Sequence, residues 1–354
     1  MSLQTLLGTD LPLIQAPMAG VQDSALALAV CRAGGLGSLP CAMLDATALQ
    51  REVTALRAGT DRPWNLNFFC HRDPPPPDAA AQQKWLDALA PYYRELGLDL
   101  TEARTAGPSR APFSHAVADR LEGVRPPVVS FHFGLPEPDL LARVKRWGSV
   151  VLSSATTVDE ALWLEAHGAD VIIAQGLEAG GHRGHFLDGD VSTQMGTFAL
   201  LPQVVRAVRC PVVAAGGIAD AASVAAARAL GAAGVQVGTA YLLCPEARIS
   251  VVHRRALCSD AARHTALTAV FSGRPARGIV NRLMRELGPL NSAALPFPLA
   301  GAAVAPLRTK AESLGSGDFS PLWCGQNAGT CSERPAGEVT LALAEAWRRD
   351  ALAP

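Results

Sequence analysis

Val171-Ile172-Ile173-Ala174-Gln175-Gly176-Leu177-Glu178-Ala179-Gly180-Gly181-His182-Arg183-Gly184-His185-Phe186 is the stretch whose reading decides the fold. It opens as a short β-branched run, the pattern of a strand buried on both faces. It then breaks into a loop holding four glycines, Gln175, two histidines and an arginine. Glycine tolerates positive φ and lets a backbone approach a ligand closely, so such a loop at a strand's end is a candidate ligand contact. A histidine there can hold or release a proton near neutral pH.

Working outward, similar apolar runs recur on both sides. They are Leu11 to Pro17, Gly35 to Leu39, Trp64 to Phe69, Val128 to Phe133, Val150 to Ser153, Val171 to Gln175, Val212 to Ala215 and Val235 to Gly238. Helical stretches such as Ser24 to Ala33, Thr157 to His167, Phe198 to Val208 and Asp220 to Leu230 separate them. Strands alternating with helices pair in parallel, because parallel neighbours need crossover connections. Eight such units predict an α/β protein with a closed (β/α)₈ (TIM) barrel, with an open doubly wound sheet as the alternative.

Two regions fall outside the repeat. Arg72-Asp73-Pro74-Pro75-Pro76-Pro77 reads as a stiff spacer leading to a helix near Gln82 to Leu96, apart from the barrel wall. After the eighth run comes a long excursion, helical at Ile279 to Leu287 and proline-punctuated near Leu295 to Pro298. The expected division is a barrel from 1–244 and 322–354, and a small, mostly helical capping domain from 245–321. Glu338 to Arg349 closes the chain as an amphipathic helix.

Composition narrows the function. The 354 residues are 49% hydrophobic and 18% charged, and the formal net charge is -1. That balance gives no electrostatic reason to expect nucleic acid or an anionic membrane as partner. Eight dispersed cysteines without a Cys-x-x-Cys pair predict reduced thiols and neither a zinc ribbon nor a redox motif. The N-terminus lacks a signal-peptide pattern and no run of eighteen apolar residues occurs, which predicts a cytoplasmic protein.

In a barrel of this kind, chemistry sits at the C-terminal ends of the strands. Those ends carry Ala16-Pro17-Met18, Asn67, His132, Ser153-Ser154, Gln175 with the loop to His182, Gly216-Gly217 and Gly238-Thr239. Val212 to Asp220 and Gly234 to Ala240 are consecutive strands running into small residues with unobstructed backbone N–H groups. Loops after strands seven and eight form the phosphate site common in this fold. No Gly-x-Gly-x-x-Gly follows the first strand and no Gly-x-x-x-x-Gly-Lys occurs, so a Rossmann site and a P-loop are poor readings.

The pattern resembles a known family. Ile14-Gln15-Ala16-Pro17-Met18-Ala19-Gly20, Asn65-Leu66-Asn67, Ala174-Gln175-Gly176 with Ala179-Gly180-Gly181-His182, Ala215-Gly216-Gly217-Ile218 and Gln236-Val237-Gly238-Thr239 look like the motifs of nitronate monooxygenases, formerly 2-nitropropane dioxygenases. Ser272 to Arg277 and Trp323-Cys324-Gly325-Gln326 extend the likeness past the barrel. The resemblance implies FMN across the barrel mouth, its phosphate held by Gly216, Gly217, Gly238 and Thr239. It places Ala16, Pro17, Met18, Asn67, Gln175, Gly180, Gly181 and Gln236 around the cofactor, and His182 beside it as catalytic base. The implied partners are a small nitronate and dioxygen, giving a carbonyl compound and nitrite without a metal.

His132 resembles a second active-site histidine on the substrate side, with a hydrogen-bonded core histidine as the plain alternative. His71, His115, His167, His253 and His264 read as surface residues. His182 and His185 lack a third ligand, so metal binding is a poor reading. Members of the family place tyrosines and a lysine over the substrate. Here Tyr92, Tyr93 and Tyr241 all lie outside 245–321, and Lys310 is the one candidate for the lysine. The alternatives are an FMN-dependent reductase using a nicotinamide donor, as in enoyl-acyl-carrier-protein reductases of this fold, and a flavin-binding protein without turnover.

Overall fold

In the computed structural model, which describes residues 1–103 and 110–349, eight parallel strands form a nearly closed barrel. They are β1 (Leu13–Gln15), β2 (Gly37–Pro40), β3 (Trp64–Phe69), β4 (Val128–His132), β5 (Val150–Ala155), β6 (Val171–Gln175), β8 (Val212–Ala215) and β9 (Gly234–Val237). The hydrogen-bonded order is β1-β9-β8-β6-β5-β4-β3-β2. Only the β1–β2 seam is thin, held by the Ile14–Leu36 bridge and two backbone hydrogen bonds. Side chains reinforce it. Gln22 Oε1 accepts from Gln15 Nε2 and from the Met18 N–H, Gln22 Nε2 donates to Ser38 O, and Gln15 Oε1 accepts from Ser38 N–H. Closure excludes the open doubly wound sheet.

The expected strands and helices are all present, because each apolar run is long enough for a strand and several of the helices start on a side-chain cap. Asp23, Thr157 and Asp220 accept from the first helical N–H groups of Ser24–Arg32, Val158–Ala166 and Ala221–Ala229. The barrel interior is apolar at its N-terminal end, where Leu3 and Leu7 of the helix Leu3–Leu7 plug it against Ile14, Val128, Leu152 and Val171. Toward the other end it turns polar: Asn65 Nδ2 donates to Ser38 Oγ and Ser130 Oγ, and Asn67 Nδ2 donates to Ser130 Oγ. That gradient places the site.

Three short strands make a second, antiparallel sheet in the order β10 (Thr265–Thr268), β11 (Ala276–Ile279), β7 (Gly181–His182). Through β11 the excursion after β9 reaches back and pairs Ala276 with His182 and Arg277 with Gly181. The helix expected from Ile279 therefore starts later, at Arg282, because Ile279 is still in the ladder and Asn281 caps the helix by accepting from Met284 N–H. Residues 245–321 do not close a core of their own. Val270, Phe271, Leu283, Val304 and Leu307 share one cluster with Trp85, Leu89, Tyr92 and Tyr93 of the helix Ala79–Glu95. Trp85 Nε1 donates to Ala300 O and Tyr93 Oη to Ala303 O. The segment after the proline spacer thus shares one core with residues of 245–321. Its partner helix, Ala300–Ser313, contains Pro306, which hid it in the sequence.

The closing helix Ala336–Arg349 packs on Ala221–Ala229 and Ser24–Arg32. The stretch 350–354 of the expected barrel segment lies outside the described residues. Among the described residues, no helix is long and apolar enough to cross a membrane.

Candidate active site

A cavity with roughly 1440 Å³ of empty space, counted out to its open mouth, lies at the C-terminal ends of the strands. Ala16, Pro17, Met18, Asn67, His132, Gln175, Gly180, Gly181, His182, Gly216, Gly217, Gln236, Gly238 and Thr239 all line it. Residues more than two hundred positions apart converge there because each follows a barrel strand.

One half of the cavity is built from backbone. Gly216 and Gly217 have φ of 113° and 72°, which turns the chain after β8 along the cavity wall. Among the described residues, the backbone N–H groups of Gly216, Gly217, Gly238 and Thr239 meet no acceptor. Four free donors at adjacent strand ends suit an anionic oxygen cluster such as a phosphate. The segment 323–327 covers them: Gly325 N–H donates to Thr239 Oγ1 and Asn327 Nδ2 to Gly217 O. Gly180 must be glycine there, since a Cβ would lie 2.6 Å from Gly325 N. Among the described residues, Glu178 is the one carboxylate lining the cavity, and its oxygens accept from Thr197 N–H and Oγ1. Gln236 Oε1 is buried without a partner, an acceptor waiting for a donor on a ligand.

The other half is built from side chains. Gln175 spends its amide on the glycine loop, donating from Nε2 to His182 O and accepting from Gly184 N–H. Arg183, fully buried, donates to Gln194 Oε1 and to the carbonyls of Gly176 and Gln175. With β7 paired to β11, these bonds fix the backbone of His182. Its ring lies 5.4 Å from Phe297 and 5.5 Å from Trp323, centre to centre.

The hydrogen bonds also assign the tautomer of His182. Its Nε2 is 2.9 Å from Ser272 Oγ, and Ser272 Oγ donates its single proton to Arg274 O. With the Ser272 proton on Arg274 O, the imidazole donates to Ser272 from Nε2 and keeps its lone pair on Nδ1. Burial holds the ring's pKa well below its ordinary value, and the nearby Arg110, His132 and Arg274 act in the same direction. Both effects favour the neutral form of the His182 ring.

His132 has both ring nitrogens engaged. Nε2 donates to His182 O and Nδ1 accepts from Ser154 Oγ, while burial pushes its pKa to about 3. It holds the His182 backbone and has no free nitrogen in this arrangement. His185 sits behind the loop, outside the cavity lining, its pKa pushed by burial to about 4. Among the described residues no group of three or more His, Cys, Asp or Glu is placed to hold a metal ion.

Several residues of the site were not singled out from the sequence. His253, expected at the surface, is 3% exposed and lines the cavity, its Nε2 donating to Trp323 O. His71 is also buried, packed edge-on against Phe297 with centroids 4.8 Å apart. Both are covered by segments far along the chain, which their neighbours in sequence do not reveal. Lys310 lies exposed on the outer face of its helix, away from the cavity. The cation that does line the mouth is Arg110, from the insertion between β3 and β4.

Comparison with known proteins points the same way as the geometry. A family profile described as nitronate monooxygenase matches residues 1–345. A nitronate monooxygenase of Paraburkholderia phytofirmans is 44% identical over 351 residues, covering 97% of this chain and 93% of its own. One from Pseudomonas aeruginosa is 42% identical, covering 97% and 98%. A solved nitroalkane oxidase from Streptomyces ansochromogenes superposes with a TM-score of 0.89 at 40% identity, covering both chains fully.

Proposed function

This chain belongs to the nitronate monooxygenase family, and from that premise we propose that it is an FMN-dependent enzyme that oxidises small nitronates with dioxygen to a carbonyl compound and nitrite. The phosphate of FMN would take the free N–H groups of Gly216, Gly217, Gly238 and Thr239. An N–H of its ring would satisfy Gln236 Oε1. Ala16, Pro17, Met18 and Asn67 would line one side of the ring, and Gly180 and Gly181 would approach it closely. When bound, FMN supplies the redox chemistry, accepting electrons from the substrate and giving them to dioxygen.

The protein's own part begins before oxidation. A neutral nitroalkane must lose a proton from carbon, whereas a nitronate already has. His182 Nδ1 is the group for that transfer. It carries a lone pair on a ring whose other nitrogen is held by Ser272, in a cavity walled by Phe69 and Trp323. Gln175, Arg183 and His132 act through the loop that carries His182 and are positioning residues.

The observation that carries this reading is His182, held by Ser272 at 2.9 Å, in the same cavity as the open glycine donors. The test is His182→Asn, assayed on a neutral nitroalkane and on its preformed nitronate at one pH, with each sample's flavin content measured first. The nitroalkane activity should fall on the order of a hundred- to ten-thousandfold, as for loss of a general base. The nitronate activity should be largely kept. Equal losses on both substrates would contradict the assignment of His182 as base.

A further inference from the structure

We propose that Arg110 is the substrate-recognition residue of this cavity, the cation that takes a planar two-oxygen anion of the substrate and sets the neighbouring carbon toward His182. The proposal rests on the nitronate-oxidising reading above and names the residue that selects its substrate.

The argument is one of unspent charge. Four other arginines lie near the site, and each is committed. Arg183 is used by Gln194 and two carbonyls, and Arg277 by Leu177 O and Thr265. Arg274 donates to His185 O and lies 4.1 Å over the Phe133 ring, while Arg308 pairs with Glu312 at 2.9 Å. Arg110 lines the cavity with its guanidinium 5.8 Å from the centre of the Phe297 ring. Among the described residues it has neither a hydrogen bond nor an ion pair. Glu178, the cavity's one carboxylate among the described residues, is already taken by Thr197.

A guanidinium drawn partly out of water with no counter-ion is unfavourable, and an arriving anion removes that cost. The charge neighbouring Arg110 is the cationic Arg308, which with burial lowers its pKa. The field of Arg110 also reaches His182, placing the cation within range of the base. The cavity wall also offers the apolar surfaces of Phe69, Trp323, Pro40 and Ala42. A small apolar body bearing one anionic group fits that chamber. The guanidinium fork matches any planar pair of oxygens, whether the nitronate group itself or a carboxylate carried elsewhere on the substrate.

The test uses the flavin-loaded protein and the variants Arg110→Gln and Arg110→Lys, with Lys310→Gln as a control on an exposed lysine outside the cavity. Two inert planar anions, nitrate and propionate, are titrated while the flavin spectrum is followed. KM and kcat are then measured on propyl nitronate and on a nitronate with a carboxylate at its far end. Arg110→Gln should keep full flavin content and the wild-type melting temperature. Its Kd for the inert anions and its KM should rise on the order of tenfold to a hundredfold, the worth of a charge-assisted pair. Arg110→Lys should recover part of the loss, and Lys310→Gln should change nothing. A KM rise on both nitronates identifies the nitronate group as the bound anion, and a rise on the carboxylated one alone identifies the carboxylate. Unchanged Kd and KM in a flavin-replete Arg110→Gln protein would overturn the proposal. Arg110-dependent anion binding in a protein that oxidises no nitronate would uphold the anion site and reject the reading it rests on.

Discussion

The two halves of the cavity are made in different ways. The half at β8 and β9 is backbone: glycines at positive φ, free N–H groups, and one uncommitted acceptor at Gln236. The half at β4, β7 and the cap is side chain: His182, His132, Phe69, Trp323 and Arg110. Backbone donors carry no pKa and cannot be tuned, which suits a cofactor that stays. Side chains carry charge and protons, which suits a substrate that comes and goes. The difference teaches where each kind of change should be felt.

The largest effect that sharpens this contrast is Gly217→Leu. A leucine at φ 72° is strained, and its Cβ starts 3.4 Å from the Cβ of Glu178. Strain of about 1–3 kcal/mol and lost donor contacts should weaken FMN retention roughly a hundredfold. Flavin released by heat and quantified per chain measures it. Unchanged occupancy would remove Gly217 from the phosphate site.

A smaller effect separates the halves by pH. His132 and His253 line the cavity and His185 lies behind the glycine loop, with pKa values of about 3, 4 and 4 respectively against an ordinary 6.5. Below 6.5 the unfolded chain takes up protons that the folded protein refuses. Stability is therefore full above that pH and is lost as pH falls toward 4. Each such histidine should cost about 2 kcal/mol between pH 7 and pH 5. Melting curves at pH 7, 6 and 5 should show the loss, and His253→Gln should flatten it. An identical slope in that variant would mean His253 is not held neutral by burial.

The contrast also explains what could be read in advance. The backbone half was legible because each of its pieces is a short contiguous motif at a strand end, such as Ala215-Gly216-Gly217 or Gln236-Val237-Gly238-Thr239. The eight strands were legible for a related reason, since short, mostly apolar runs between helical stretches report their own burial. The side-chain half was not. His253 is buried by residue 323 and its neighbours, His71 by Phe297, and nothing near either histidine in the sequence says so. Arg110 reaches the mouth from one insertion while Lys310, the one candidate the sequence offered for a lysine there, is exposed on the other. The pairing of Ala276 with His182 is likewise a long-range contact, invisible until the cap is folded.

The measurement that tests the central claim most directly is anaerobic mixing of the purified protein with propyl nitronate, and separately with NADH, while flavin absorbance is followed. The account predicts a yellow protein whose flavin is FMN, bleached by the nitronate, recovered on admitting air, and unchanged by NADH over the same time. Rapid bleaching by NADH with none by the nitronate would contradict it and assign the cavity to a nicotinamide-dependent reductase.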